Sequence, residues 1–186
     1  MDEQRHRIRL DAQWVLKPVV RFSMRESESV SAPEFESAKS FQELAQHWQW
    51  GERTKLKHLR ELGRACESLN VEEDGDDAEQ PQGILLERFF NRPTGLDDGQ
   101  SVVLAFESTS DIQVWMNDRP LDLKAKELQT PGEQAITSAL ISVQIEINDC
   151  LEKRNQLQVV FVATESQRLE DLKQPLIQSV MLEIAD

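Results

Sequence analysis

Three apolar runs between Leu85 and Asp118 limit what this chain can fold into more than any other stretch. The first covers residues 85–90 and ends where Asn91, Pro93 and Gly95 break it. Asn and Gly tolerate unusual backbone angles, and Pro cannot donate to a sheet ladder. The link continues through Leu96, Asp97, Asp98 and Gly99. The second run, 101–107, sends Val102, Leu104 and Phe106 to one face and Val103, Ala105 and Glu107 to the other. Such a strand can be buried on both sides. In the third, Ile112, Val114 and Met116 share one face, and Gln113, Trp115 and Asn117 the opposite one. That is the two-residue period of a strand with one face on a core. The short polar link 108–111 predicts an antiparallel hairpin between the second and third runs.

Upstream, residues 8–19 read as a strand with Ile8, Leu10, Ala12, Trp14 and Leu16 on one face, and Trp14 belongs to the core. Residues 23–39 are polar and serine-rich and read as a loop. Ser40 then opens a helix, with Glu43 three positions on completing a capping box. Phe41, Leu44, Ala45 and Trp48 follow at helical spacing. After Gly51 a second helical pattern runs through Leu56, Leu59, Leu62, Cys66 and Leu69. Residues 40–69 are therefore expected to form a helical insertion, either a helical hairpin or a bent helix. Trp48 and Trp50 flank its break; one should staple the insertion to the strands, and the other reading has either of them lining a cleft.

Residues 71–83 carry six acidic side chains, two glycines and a proline, the composition of a flexible, solvated loop. They lack the alternating oxygen ligands and distal glutamate of a calcium-binding loop, so structural calcium has no motif behind it. Downstream, Val143, Ile145 and Ile147 alternate with polar residues. Leu157, Val159, Phe161 and Ala163 line one face of a further strand, and Val180, Leu182 and Ile184 close the chain. Seven or eight short strands with turns between them predict a mainly β protein, a two-sheet sandwich with the helical insertion at one end or edge.

At 186 residues the chain is expected to be a single domain, 1–186, with a substantial core. Its net charge of −13 argues against a nucleic-acid surface and against anionic lipid. No run reaches the ~20 apolar residues of a membrane helix. The first residues hold no apolar signal segment, so the expected location is cytoplasmic. Cys66 and Cys150 stand in unrelated contexts and are expected to remain unpaired. His6, His47 and His58 show no metal spacing, and neither a zinc motif nor a phosphate loop is present. No metal site and no cofactor is expected.

Several residues line up with a known family. Arg88, Phe90 and Pro93 resemble the R-x-F-x-x-P entry of the sugar-binding domain at the N-terminus of glycoside hydrolase family 2 proteins. Val114-Trp115-Met116-Asn117 is similar to that family's V-W-L-N-G hairpin, with Asp118 in place of glycine. The stretch from Ile145 to Leu151, with Asn155, Leu157 and Val159, resembles its F-D-I-T-x-L-L-x-x-x-N-x-L-x-V segment. The resemblance implies a galactose-binding-domain-like jelly roll. It also implies a non-catalytic domain that packs beside a separate barrel holding the catalytic carboxylates.

For chemistry, alternation places Trp115 on a polar face with Gln113 and Asn117. An indole stacks on sugar rings and amides bond hydroxyls, so these three residues are the candidate carbohydrate site. The structural alternative is that Trp115 packs under the helical insertion or in a subunit interface. Paired carboxylates such as Glu107 and Glu146 are expected in any acidic sandwich and point only weakly to a hydrolase. The expected function is a non-catalytic binding module, with carbohydrate the ligand implied by the resemblance. A structural or protein-interaction domain is the alternative, and a small hydrolase the third reading. The expected partner is accordingly a carbohydrate or a protein, with oligomeric state open.

Overall fold

The computed structural model of the chain describes residues 6–22, 40–45, 48–69, 83–97, 99–108, 112–123, 125–126, 141–162 and 177–185. The polar stretch 23–39 and the acidic loop 71–83, apart from its last residue, lie outside them, as does His47. Twelve strands are described: β1 (His6–Arg9), β2 (Ala12–Phe22), β3 (Trp48–Trp50), β4 (Thr54–His58), β5 (Gly83–Asn91) and β6 (Ser101–Ser108), then β7 (Gln113–Met116), β8 (Arg119–Leu121), β9 (Ala125–Lys126), β10 (Ile141–Glu146), β11 (Arg154–Val162) and β12 (Ile177–Ala185). They form a five-stranded sheet in the order β1-β12-β6-β10-β9 and a seven-stranded sheet in the order β3-β2-β5-β11-β7-β8, with β4 also on β2. Every pairing is antiparallel. The fold is the mainly β, two-sheet sandwich expected.

Its connectivity departs from the local reading of the chain. β6 and β7 do not form the hairpin that their short link predicts. β6 pairs with β10 and β12, whereas β7 pairs with β11 and β8 in the other sheet. From β5 onward the longer strands alternate between sheets: β5 in one, β6 in the other, then β7, β10, β11 and β12 in turn. This crossing lets one core form between the sheets. Leu104, Phe106, Val143, Val180 and Leu182 enter it from one side, and Leu16, Ile84, Leu86, Val114, Leu157 and Val159 from the other. The strand expected over 8–19 is likewise divided at Leu10 and Asp11, because β1 belongs to one sheet and β2 to the other. Leu10 and Asp11 anchor the crossing. Leu10 N–H donates to Val180 O at 2.8 Å, Val180 N–H donates to Asp11 Oδ1 at 3.1 Å, and the buried Trp14 indole donates to Leu10 O at 2.6 Å.

The insertion over 40–69 contains two short helices, α1 (Phe41–Ala45) and α2 (Leu62–Ser68), with a 3-10 turn at Leu59–Glu61. Between the helices the chain forms β3 and β4 instead of a continuous helical hairpin. The reason is tertiary: β2 runs for eleven residues and offers a free edge, and Thr54 to His58 pairs along it. Leu56 then reaches the main core while Lys55 and Lys57 face solvent, a two-residue period hidden inside a leucine pattern. Cys66 on α2 and Cys150 are both free thiols. Burial, and to a lesser degree the nearby Glu67 charge, pushes the Cys66 thiol up to about 11, so it stays protonated near neutral pH.

The link from β7 to β8 is a two-residue turn at Asn117 and Asp118, with φ of 50° and 66°. Met116 and Arg119 pair directly across it. Two successive positive φ angles match the twist of a hairpin, which is why this family-like position favours Asn followed by Gly. Asp118 compensates for the missing glycine, because its Oδ1 accepts the backbone N–H of Gln42 at 2.7 Å and so caps α1 from outside the helix. Asp118→Ala removes the cap and places a less tolerant residue in the left-handed region. It should cost about 1–2 kcal/mol. Asp118→Gly loses the cap but relieves the backbone, so the two terms nearly cancel. Thermal denaturation of both variants checks this, with a lower Tm expected only for the alanine.

Candidate functional site

The outer face of the seven-stranded sheet, turned away from the main core, carries the candidate site. Its residues follow from strand alternation and register. One rung crosses five strands: Lys55 opposite Val15, Val15 opposite Glu87, Glu87 opposite Gln158, and Gln158 opposite Trp115. Residues two positions away stand on the same face. Lys17, Leu85 and Val160 therefore flank this rung on one side, and Phe89 and Gln156 on the other.

Half of this face is covered. Val19, Leu85, Trp115 and Val160 from the sheet pack with Phe41 of α1 and Trp48 of β3 into a second, smaller core. Phe41 meets Trp48 and Trp115 edge-on, each with ring centroids 5.8 Å apart. Trp48 is the residue that staples the insertion to the sandwich. Trp115 is only 1% exposed, so its indole offers no face to a sugar; it packs under the insertion, the structural alternative weighed for it. Its Nε1 is buried without a hydrogen-bond partner.

Asn117 is committed as well. Its Nδ2 donates to Cys150 O at 2.7 Å and to Asn155 Oδ1 at 3.0 Å, and its Oδ1 accepts from Gln156 N–H at 2.9 Å. Asn155, fully buried, ties this knot to the loop before β11 by accepting from Glu152 N–H and donating to Glu152 O. The amide that alternation offers to a ligand is thus a turn lock. Gln113 alone of the three candidates is exposed. The structure does not bring Gln113, Trp115 and Asn117 together as an open platform.

The other half of the face is open. Glu87 lies at its centre, 7% exposed. Its Oε1 accepts from Gln156 Nε2 at 3.1 Å and from Gln158 Nε2 at 3.5 Å, and its Oε2 pairs with Lys17 Nζ at 2.5 Å. A carboxylate held by three donors positions them, so both amide carbonyls and the lysine are fixed in place. On either side stand Trp50 and Phe89, 37% and 45% exposed, the large apolar side chains most exposed to solvent among the described residues. Lys17 Nζ lies 5.9 Å from the Trp50 ring centroid, and the Arg154 guanidinium lies 5.5 Å from that of Phe89. The arrangement has two exposed rings, the oriented, half-buried Gln156 amide between them and cationic donors, with Gln158 buried at 4% exposure behind Glu87. Nothing in it resembles a nucleophile with its base.

This half was missed in the sequence because Phe89 lies in a run that mixes leucine and phenylalanine with Glu87 and Arg88 and so shows no clean inner and outer face. Alternation alone does not single it out: Leu85, Glu87 and Phe89 alternate with Ile84, Leu86, Arg88 and Phe90, and each set holds one charged residue.

No known protein family's sequence profile matches the chain, and neither does any curated protein. Solved structures do. A β-glycosidase from Bacteroides vulgatus superposes with a TM-score of 0.51 at 14% identity, covering 96% of this chain and 20% of that protein. A Bifidobacterium dentium β-glucuronidase complexed with coumarin-3-O-glucuronide gives 0.49 at 14%, covering 100% and 30%. A β-glucuronidase of Faecalibacterium prausnitzii also gives 0.49 at 14%, covering 100% and 32%. The chain spans between a fifth and a third of the length of these proteins, and the likeness is one of fold. It is the fold that the resemblance to glycoside hydrolase family 2 implies.

Proposed function

We propose that this chain is a non-catalytic carbohydrate-binding module whose site is the open half of the seven-stranded sheet's outer face. The observation that carries the reading is the pairing of Trp50 and Phe89 with the half-buried Gln156 and Lys17 between them, both held by Glu87, while Gln158, 4% exposed, only backs Glu87 from within. Sugar rings present apolar C–H faces and a rim of hydroxyls. Exposed aromatic rings match the first, and an oriented amide and a cation match the second. Glu87 acts as a positioning residue, since its oxygens are already engaged. The reading asks for no chemical step.

Fluorescence tests this directly. Of the four tryptophans, Trp14, Trp48 and Trp115 are buried, so a surface ligand reports through Trp50. Titration with a panel of oligosaccharides should give a saturable shift. Trp50→Ala and Phe89→Ala should each weaken binding about tenfold, equivalent to ~1.4 kcal/mol, without lowering the Tm. A cooperative, folded protein that responds to no saccharide would transfer the two exposed rings to the protein-interaction reading, since an aromatic pair with cations beside it also suits a protein interface.

A further inference from the structure

Resting on that reading, we infer that the open face selects anionic saccharides, carrying carboxylate or sulfate groups, over neutral ones. The chain as a whole has a net charge of −13, yet the sign is reversed here. Among the described residues of the open face the acid is Glu87, and its charge is spent internally: both oxygens are occupied and the side chain is nearly buried. The cations around it are freer. Lys55 lies one strand beyond Val15 on the Glu87 rung and is exposed. Arg154 rests on the Phe89 ring, and neither it nor Lys55 forms an ion pair with a described residue. Lys57 follows Lys55 on the same side of β4, although Glu61, which accepts the Lys57 backbone N–H at 3.0 Å, offsets part of its charge.

The donor inventory points the same way. Ammonium and guanidinium groups only donate hydrogen bonds, so their best partners are groups that only accept. A hydroxyl both donates and accepts and gains nothing from the charge. A carboxylate or sulfate on a ring stacked against Phe89 would come within reach of Arg154, whose fork donates to two oxygens at once. Lys17 beside Trp50 is already neutralised by Glu87. Ring stacking and anion recognition therefore meet within a single sugar unit at Phe89 and Arg154.

Calorimetric titration of the full chain with three hexasaccharides tests this: a neutral one (cellohexaose), a carboxylated one (hexagalacturonate) and a sulfated one whose acidic groups are sulfates alone (a κ-carrageenan hexamer). One or both anionic probes should bind about tenfold or more tighter than the neutral one, the size of a single charge-assisted hydrogen bond. The advantage should shrink as added salt shortens the Debye length below about 10 Å. Which anionic probe binds identifies the acceptor group. Arg154→Gln and Lys55→Gln should reduce the preference several-fold with the Tm unchanged, whereas Arg154→Lys should restore part of it. If cellohexaose binds as tightly as the anionic probes, or the preference survives both glutamine variants, the inference fails while carbohydrate binding stands. If no probe binds, both fall.

Discussion

Trp115→Ala should destabilise the protein by about 3–5 kcal/mol, the range for emptying a large aromatic site in a packed core. The indole is one of two in the second core, the one supplied by the sheet, and it joins the helical and strand parts of the insertion to the sheet through Phe41 and Trp48. Its loss leaves Val19, Leu85 and Val160 facing a void that α1, five residues long, cannot collapse to fill. The main core lies on the opposite side of the sheet, with a separate set of residues, and should persist. Denaturant titration read by circular dichroism gives the magnitude. The Trp115→Phe variant adds a sharper check, because the unpartnered Nε1 disappears with it. Burying that donor without an acceptor costs about 1–3 kcal/mol, so phenylalanine should recover much more than its share of the lost volume. A wild-type-like stability for the alanine variant would mean that the insertion is not seated on this residue.

The second large effect is at Asn117. Alanine there removes acceptors or donors for Cys150 O, Asn155 Oδ1 and Gln156 N–H at one stroke. It also holds a non-glycine, non-asparagine residue at φ of 50°. Partly buried groups left without partners and a left-handed backbone together should cost about 3 kcal/mol. Asn117→Gly keeps the backbone but not the bonds and should recover about 1 kcal/mol of that loss. Comparing the two by thermal denaturation separates turn strain from the lost network. Should both variants melt like the parent, the asparagine knot is decorative and Asn117 is again available to a ligand.

Both residues stood out in the sequence for the right local reason and the wrong functional one. Alternation over 112–117 places Trp115 opposite the main core, and the structure agrees. What alternation does not reveal is that a segment more than sixty positions upstream folds over that face. Similarly, an Asn at a turn signals a tolerant backbone, but its side-chain partners, Asn155 and Gln156 of β11 and Cys150 before it, stand 33 to 39 residues away. The expected hairpin between β6 and β7 failed for a related reason. A four-residue link is compatible with a hairpin or with a crossing between sheets, and only burial of both inner faces selects the crossing. In 48–58, Trp48 and Leu56, each part of a helical spacing, became strand residues because β2 offered unpaired backbone.

What the sequence determined by itself is the inward faces of β6, β7, β11 and β12: Val102, Leu104 and Phe106, Val114 and Met116, Leu157, Val159 and Phe161, Val180, Leu182 and Ile184. These depend on a two-residue period and a preference for apolar burial, which are properties of neighbours along the chain. The tertiary structure alone decided which sheet each strand joins, which half of the outer face is roofed by α1 and β3, and hence that Trp50 and Phe89, not Trp115, meet the solvent. Those outcomes depend on competition between distant segments for the same surface, and a covering segment leaves no mark in the residues that it covers.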